Sequence, residues 1–174
     1  MMLHIPEVLN KQQVAELRQQ IQQASVWVNG IQSAGQQAQQ IKNNLQIDVH
    51  SDVYPSISHR VLNALQQNLL LRSAALPQHI LSPMFNCYQS QGNYGNHVDN
   101  AIQYSTKTGQ MIRTDVSITV FLSEPDEYKG GELVIEDTYG SHEVKLPAGD
   151  AIVYPSTSLH RVEPVTSGAR VASF

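Results

Sequence analysis

The sequence predicts an α+β chain whose helical first part leads into a β-sandwich or jelly roll. Three observations predict it. Apolar residues recur at helical spacing before Pro77, they alternate at period two after it, and glycine-rich turns separate the alternating runs. A length of 174 residues suits one core and is short for two. We therefore divide a single structural unit into a helical support region, 1–77, and a β-rich core, 78–174.

Asn10 is placed to cap a helix in which Val14, Leu17, Ile21 and Ala24 form one apolar stripe. Residues 31–46 are rich in Gln with almost no periodicity, which reads as an exposed loop with at most a frayed helical turn, although a lid over an active site would look the same. A second helix is expected over 56–72, where Ile57, Val61, Leu65 and Leu69 stand four apart. The strands follow. Val116, Ile118, Val120 and Leu122 alternate with Ser117, Thr119 and Phe121, and the pairs Leu133/Ile135, Val144/Leu146 and Ile152/Tyr154 continue the pattern. Lys129-Gly130-Gly131, Tyr139-Gly140-Ser141 and Pro147-Ala148-Gly149-Asp150 mark the turns between them.

The formal net charge is −4, with a pI near 5.9 and no stripe of Lys or Arg, so nothing recommends a phosphate backbone as partner. No apolar run has the length of a membrane span, and the N-terminus has no basic and apolar leader. Cys87 is the single cysteine, which rules out an intramolecular disulfide and a four-cysteine zinc site. These features predict a cytoplasmic setting in which a free thiol survives.

The chemistry concentrates at Tyr94-Gly95-Asn96-His97-Val98-Asp99. In extended chain, residues i and i+2 project from one face, so His97 and Asp99 can point at one cation while Val98 turns away. His160 would complete a set of two imidazoles and one carboxylate, which occupies one face of an octahedron and leaves the other open. Iron suits that set, and zinc competes for it. The other five histidines, His4, His50, His59, His79 and His142, read as surface or structural residues. Arg170 lies ten residues after His160, where a chain turning back through Pro164 to Gly168 would return it toward the metal. Its planar fork of donors matches a carboxylate, so it can hold the far end of a dicarboxylic cosubstrate.

Taken together, these residues resemble the 2-oxoglutarate/Fe(II) dioxygenases of the prolyl-4-hydroxylase type, and more closely the bacterial PKHD-type hydroxylases linked to iron uptake. The resemblance spans nearly the whole chain. It runs through His4-Ile5-Pro6, Lys42-Asn43-Asn44, Pro83-Met84-Phe85-Asn86-Cys87-Tyr88, Tyr94 to Asp99 and Arg113-Thr114-Asp115. It continues through Gly130-Gly131-Glu132-Leu133, Leu146 to Asp150, Tyr154-Pro155-Ser156, Leu159-His160 and Gly168 to Phe174. It implies a double-stranded β-helix (jelly-roll) core with N-terminal helices packed on it. It further implies that His97, Asp99 and His160 bind Fe(II) and are catalytic, that Arg170 binds the C5 carboxylate of 2-oxoglutarate, and that Tyr88 lines the cosubstrate pocket. Dioxygen as co-reactant, L-ascorbate as reductant and a bacterial cytoplasmic location come with it. The partner is then a small molecule or a peptide, with no nucleic acid, no membrane, and room for a homo-oligomer. Family members continue past the Val-Ala-Ser-Phe segment, and the sequence alone leaves open whether the chain is truncated after Phe174. Two other readings compete: a non-catalytic metal-binding jelly-roll module, and a nucleic-acid demethylase with the same triad, which the acidic balance disfavours.

Overall fold

The first helix begins where the sequence offers a cap. The Asn10 side chain accepts from the Gln13 amide at 2.9 Å, and the Gln13 side chain accepts from the Asn10 amide at 2.8 Å, a reciprocal capping box. The computed structural model describes residues 2–24, 26–33, 40–105 and 109–174. Its first half contains β1 (Leu3–Ile5), α1 (Lys11–Ala24), β2 (Trp27–Asn29), β3 (Lys42–Asn43), β4 (Leu45–Ile47), α2 (Tyr54–Gln67) and α3 (Leu69–Ala75). Then come β5 (Phe85–Gln89), β6 (Asn93–His97), β7 (Ile102–Tyr104), β8 (Met111–Arg113), β9 (Val116–Phe121) and β10 (Tyr128–Gly130). The chain finishes with β11 (Leu133–Asp137), β12 (Gly140–Val144), β13 (Ala151–Pro155), β14 (Leu159–Val162) and β15 (Val165–Ser173).

The strands form the two layers of a jelly roll. The larger sheet has the order β1-β13-β9-β15-β5-β4-β2, with β10 also paired to β15; the smaller has the order β12-β11-β14-β6-β3. A separate β7–β8 hairpin completes the set, and all these pairings are antiparallel. No helix among the described residues is long and apolar enough to cross a membrane.

Strand alternation explains why the larger sheet buries both faces. Val120, Leu122, Ala151 and Val153 pack with Val14, Leu17, Ile21, Ile57, Val61 and Leu65 of the helices. Their neighbours Phe121, Ile152 and Tyr154 point the other way, into the space between the sheets, with Leu133, Ile135 and Val162 of the smaller sheet. On β9 the helix-facing stripe is apolar, so the opposite positions Ser117, Thr119 and Phe121 look into the sandwich. That is the face on which chemistry can be placed.

Two expectations need correction. The helix expected over 56–72 is two helices: Asn68 leaves the helical region (φ −72°, ψ 112°) and caps α3, accepting from the Leu71 amide at 2.9 Å. Leu71 is consequently the buried residue of that turn, and Leu69, expected on the apolar stripe, is 75% exposed. The stretch 31–46 is not simply an exposed loop. Gly30–Ser33 is a 3₁₀ turn, Lys42–Asn43 and Leu45–Ile47 are strands, and Lys42, Gln46 and the intervening Asn44 are buried. The alternation is there, but polar residues occupy its inward positions, so a search for apolar periodicity passes over it. Residues 34–39 of that stretch lie outside the described residues.

Candidate active site

Cross-strand register brings the two histidines together. His97 on β6 stands opposite His160 on β14, so both imidazoles project from the same face, with ring centroids 4.1 Å apart. Between His97/His160 and Tyr94/Val162 two residues of β6, Gly95 and Asn96, oppose one of β14, Arg161, a β-bulge. Without it, Tyr94 and His97 would face opposite ways; with it, their rings stack at 3.6 Å and an interplanar angle of 19°. Asp99 follows just beyond β6, and its amide donates to the Ser156 carbonyl at 3.1 Å. Val98 is exposed, as expected for the residue between two inward-facing ligands.

The three donor atoms converge. Asp99 Oδ1 lies 3.8 Å from His97 Nε2 and 3.7 Å from His160 Nε2. Among the described residues, His97, Asp99 and His160 are the one group of three with all ligand atoms within 4.8 Å of one another.

Each donor is aimed by a partner that leaves its metal-facing atom free. His97 Nδ1 bonds the Gly95 carbonyl at 2.8 Å, and His160 Nδ1 bonds the Ser158 carbonyl at 3.0 Å. A carbonyl oxygen can only accept, so both rings carry a proton on Nδ1, and the nitrogen left to offer a lone pair to a metal is Nε2. Burial, reinforced by the neighbouring His160, pushes the pKa of His97 down to about 4, so this ring is neutral near pH 7. The Ser117 hydroxyl donates to Asp99 Oδ2, which leaves Oδ1 toward the imidazoles. Ser117 stands opposite Tyr154 in the sheet, and Tyr154 packs edge-on against His160 at 5.1 Å. Ser117→Ala should weaken Fe(II) binding by about 10–100-fold without unfolding the protein, because Asp99 loses its orienting donor. Anaerobic Fe(II) titration of both proteins measures this.

Arg170 lies in the same cleft. It is on β15, 1% exposed, and its cross-strand neighbour is Tyr88 on β5. The guanidinium carbon sits 5.4 Å from the Tyr88 ring centre and 5.2 Å from that of Phe121. Gly131, at φ +70°, makes room: a Cβ there would come within 2.7 Å of Val165 and 3.2 Å of Arg170 Cδ. Burial raises the Tyr88 pKa to about 12 despite the adjacent guanidinium, so the phenol stays protonated. Arg170 Nε is buried without a hydrogen-bond partner among the described residues, and the Tyr128 hydroxyl lies close to the same guanidinium. A buried cationic donor left unpaired in an otherwise aromatic setting is costly, and a carboxylate would satisfy it.

A cleft of about 2230 Å³ joins these parts, reaching from Arg170 and Tyr88 past the triad to the β7–β8 hairpin. The residues fit a ferrous ion and a dicarboxylate: two imidazoles and one carboxylate grouped on one side, with a buried guanidinium in the same cleft.

Sequence reasoning placed His97, Asp99, His160, Arg170 and Tyr88 in one site, and the structure sets all five on the walls of this cleft. It missed Ser117, Tyr94 and Lys42. Ser117 was visible as a polar position on the inward face of an alternating strand. Lys42 pairs with Tyr94 in register, is 6% exposed and has its ammonium 5.3 Å from the Tyr94 ring. Burial holds its pKa down to about 8, partly countered by the charge of Asp99. The folded value lies below the ordinary 10.5, so the unfolded chain binds more protons between those limits and stability rises with pH across that window. Lys42→Met should therefore stabilise the metal-free protein by about 1–3 kcal/mol at pH 7, with the gain fading toward pH 10.5. Denaturant melts at pH 7 and pH 10 measure it.

Comparison with known proteins places this geometry in a family. Residues 83–174 match the model of the 2OG-Fe(II) oxygenase superfamily. A PKHD-type hydroxylase of Aliarcobacter butzleri is 53% identical over all 174 residues, and one of Hyphomonas neptunium is 55% identical. The chain spans 76% of the length of each. Among solved structures, a Trichoplax adhaerens prolyl hydroxylase in complex with a hypoxia-inducible-factor peptide fragment superposes with a TM-score of 0.70 at 17% identity. That match covers 99% of this chain and 80% of the other. A Pseudomonas putida prolyl-4-hydroxylase gives 0.61 at 19% identity, covering 99% and 89%. The likenesses to solved structures show the shared jelly roll; the match to the family model and to the full-length relatives shows the lineage, and the chain belongs to the 2OG-Fe(II) oxygenase superfamily.

Proposed function

We propose that this chain is a hydroxylase that couples oxidative decarboxylation of 2-oxoglutarate to hydroxylation of a C–H bond in a second substrate. One atom of dioxygen enters succinate, the other enters the product alcohol, and carbon dioxide leaves. The observation that carries this reading is the pairing of a three-donor cluster with a buried guanidinium whose Nε has no hydrogen-bond partner among the described residues, in one cleft. A purely structural metal site needs the first and has no use for the second.

In this reading His97, Asp99 and His160 hold Fe(II), which when bound supplies the dioxygen chemistry. Arg170 takes the far carboxylate of 2-oxoglutarate, and the Tyr88 and Phe121 rings keep water from that contact. Ser117 keeps one Asp99 oxygen occupied, so the other remains for the metal. The carbonyls of Gly95 and Ser158 hold the two ring protons away from it. The substrate is a small molecule or a peptide. A siderophore, a protein side chain and a free metabolite all satisfy the chemistry, and proline has no special standing because fold analogy does not transmit specificity. The resemblance to PKHD-type hydroxylases adds a role in iron homeostasis, ascorbate as the reductant that restores iron, and a cytoplasmic location.

The test is succinate release from 2-oxoglutarate under air, with Fe(II) and with Zn(II) in its place. Succinate with iron alone, accompanied by a gain of one oxygen in a metabolite or peptide, is the expected result. Metal binding with no succinate in the presence of cell extract would overturn the reading in favour of a non-catalytic module.

A further inference from the structure

Turnover needs somewhere for oxygen to go when the cleft holds no substrate, and one ring of the protein lies flat against a metal ligand. The Tyr94 ring is stacked on His97, with centroids 3.6 Å apart and planes 19° from parallel. The other tyrosine in ring contact with the triad among the described residues, Tyr154, meets His160 by its edge at 5.1 Å. The two differ in access as well as in distance. Tyr154 is buried, whereas Tyr94 is half-buried and lines the cleft with part of its surface free.

The backbone holds the Tyr94 ring in place. The bulge at Gly95 and Asn96 turns Tyr94 and His97 to one face, and Tyr94 is paired in register with Lys42 on one side and Val162 on the other. The ring is therefore a fixed wall of the site. Three ligands grouped on one side of a metal leave its other side open, and here the open side belongs to the cleft that Tyr94 lines. A bound substrate offers its own C–H bond there. Without one, a phenol ring, which its oxygen makes electron-rich, is what the oxidising equivalents meet.

We propose that Tyr94 is a modification site: during turnover without substrate its ring is hydroxylated beside the phenol C–O bond, which converts the side chain to a catechol. This inference rests on the reading in the preceding section and adds a second acceptor for oxygen at the same site. The balance is that of the hydroxylation with the ring in place of the substrate. 2-Oxoglutarate loses carbon dioxide and takes up one atom of dioxygen as succinate. The other atom enters a ring C–H bond, whose hydrogen ends on the new hydroxyl. Decarboxylation supplies half of the electrons that reduce dioxygen, and the ring supplies the other half.

The test incubates the full chain with Fe(II) and 2-oxoglutarate under air, with catalase present and without cell extract. Both readouts are taken on the polypeptide itself: fragmentation of the digested chain by mass spectrometry, and a redox stain for catechols on the denatured protein. The expected result is a gain of one oxygen on Tyr94, none on Tyr154, and a stained chain. Leaving out 2-oxoglutarate, or substituting Asp99→Ala, should abolish both signals, and Tyr94→Leu should abolish the stain. Met84 and Met111 line the same cleft and report stray oxidants, because a thioether is oxidised by such species without 2-oxoglutarate. Succinate with no oxygen on Tyr94 overturns the proposal, as does a gain on Tyr94 that is equal with and without 2-oxoglutarate. Absence of succinate overturns it too, and cell extract is then added to separate the two readings. Succinate with extract keeps the hydroxylase and loses this inference alone; none with extract removes both.

Discussion

Replacing His97, Asp99 or His160 by Ala should lower Fe(II)-dependent succinate release by more than about 100-fold, because loss of a direct ligand exceeds the 10–100-fold typical of an orienting partner. The three side chains act as a unit, so any two replacements together should cost little more than one. His160 is 4% exposed and packs edge-on against Tyr154, so His160→Ala also leaves a cavity and should lower thermal stability. Asp99 is the most exposed of the three, with a side chain 37% accessible, and Asp99→Ala should separate lost metal binding from lost fold most cleanly. Near-parental activity in Asp99→Ala, measured as succinate from 2-oxoglutarate, would remove the metal role assigned to this triad.

The second large effect is expected at Arg170. Arg170→Leu should raise the KM for 2-oxoglutarate by about 100-fold, since truncating one partner of a buried, hydrogen-bonded charge pair costs about 2–5 kcal/mol. Fe(II) affinity should change little, because Arg170 belongs to the other sheet and no metal ligand is its cross-strand partner. Leucine fits the aromatic slot between Tyr88 and Phe121 and relieves the unpaired Nε, so the variant should be at least as stable as the parent. Arg170→Lys should recover only part of the affinity, because an ammonium lacks the planar fork. Steady-state kinetics with 2-oxoglutarate as the varied substrate separate these outcomes. An unchanged KM in Arg170→Leu would remove the cosubstrate role from this residue.

Much of this was legible in the sequence, for identifiable physical reasons. The His97-x-Asp99 spacing is read directly because a strand repeats every two residues, and β9, β11 and β13 show their alternation openly, whereas Lys129-Gly130 and Gly140-Ser141, expected as turns, belong to β10 and β12. A β-sandwich or jelly roll preceded by helices follows from the same patterns, and the resemblance chose the jelly roll with helices packed upon it. What escaped notice broke one of those rules. The break at Asn68 depends on a side chain competing for a backbone amide, a local choice that a four-residue repeat of leucines masks. The inward face at Lys42, Asn44 and Gln46 is polar because it borders a cleft, so hydrophobic periodicity gives no sign of it. The stacking of Tyr94 on His97 depends on a bulge, an interruption of register that no repeat announces. The tautomers of the two imidazoles depend on carbonyls two residues back along the chain, positions with no side-chain signature.

The most direct test is anaerobic absorption spectroscopy of the protein with one equivalent of Fe(II), before and after addition of 2-oxoglutarate. If the clustered imidazoles and carboxylate leave open positions beside the buried guanidinium, 2-oxoglutarate should produce a weak metal-to-ligand charge-transfer band in the visible. That band should vanish in Asp99→Ala and require far more 2-oxoglutarate in Arg170→Leu. A protein that binds Fe(II) tightly yet shows no band at saturating 2-oxoglutarate, or keeps it unchanged in both variants, would contradict the account.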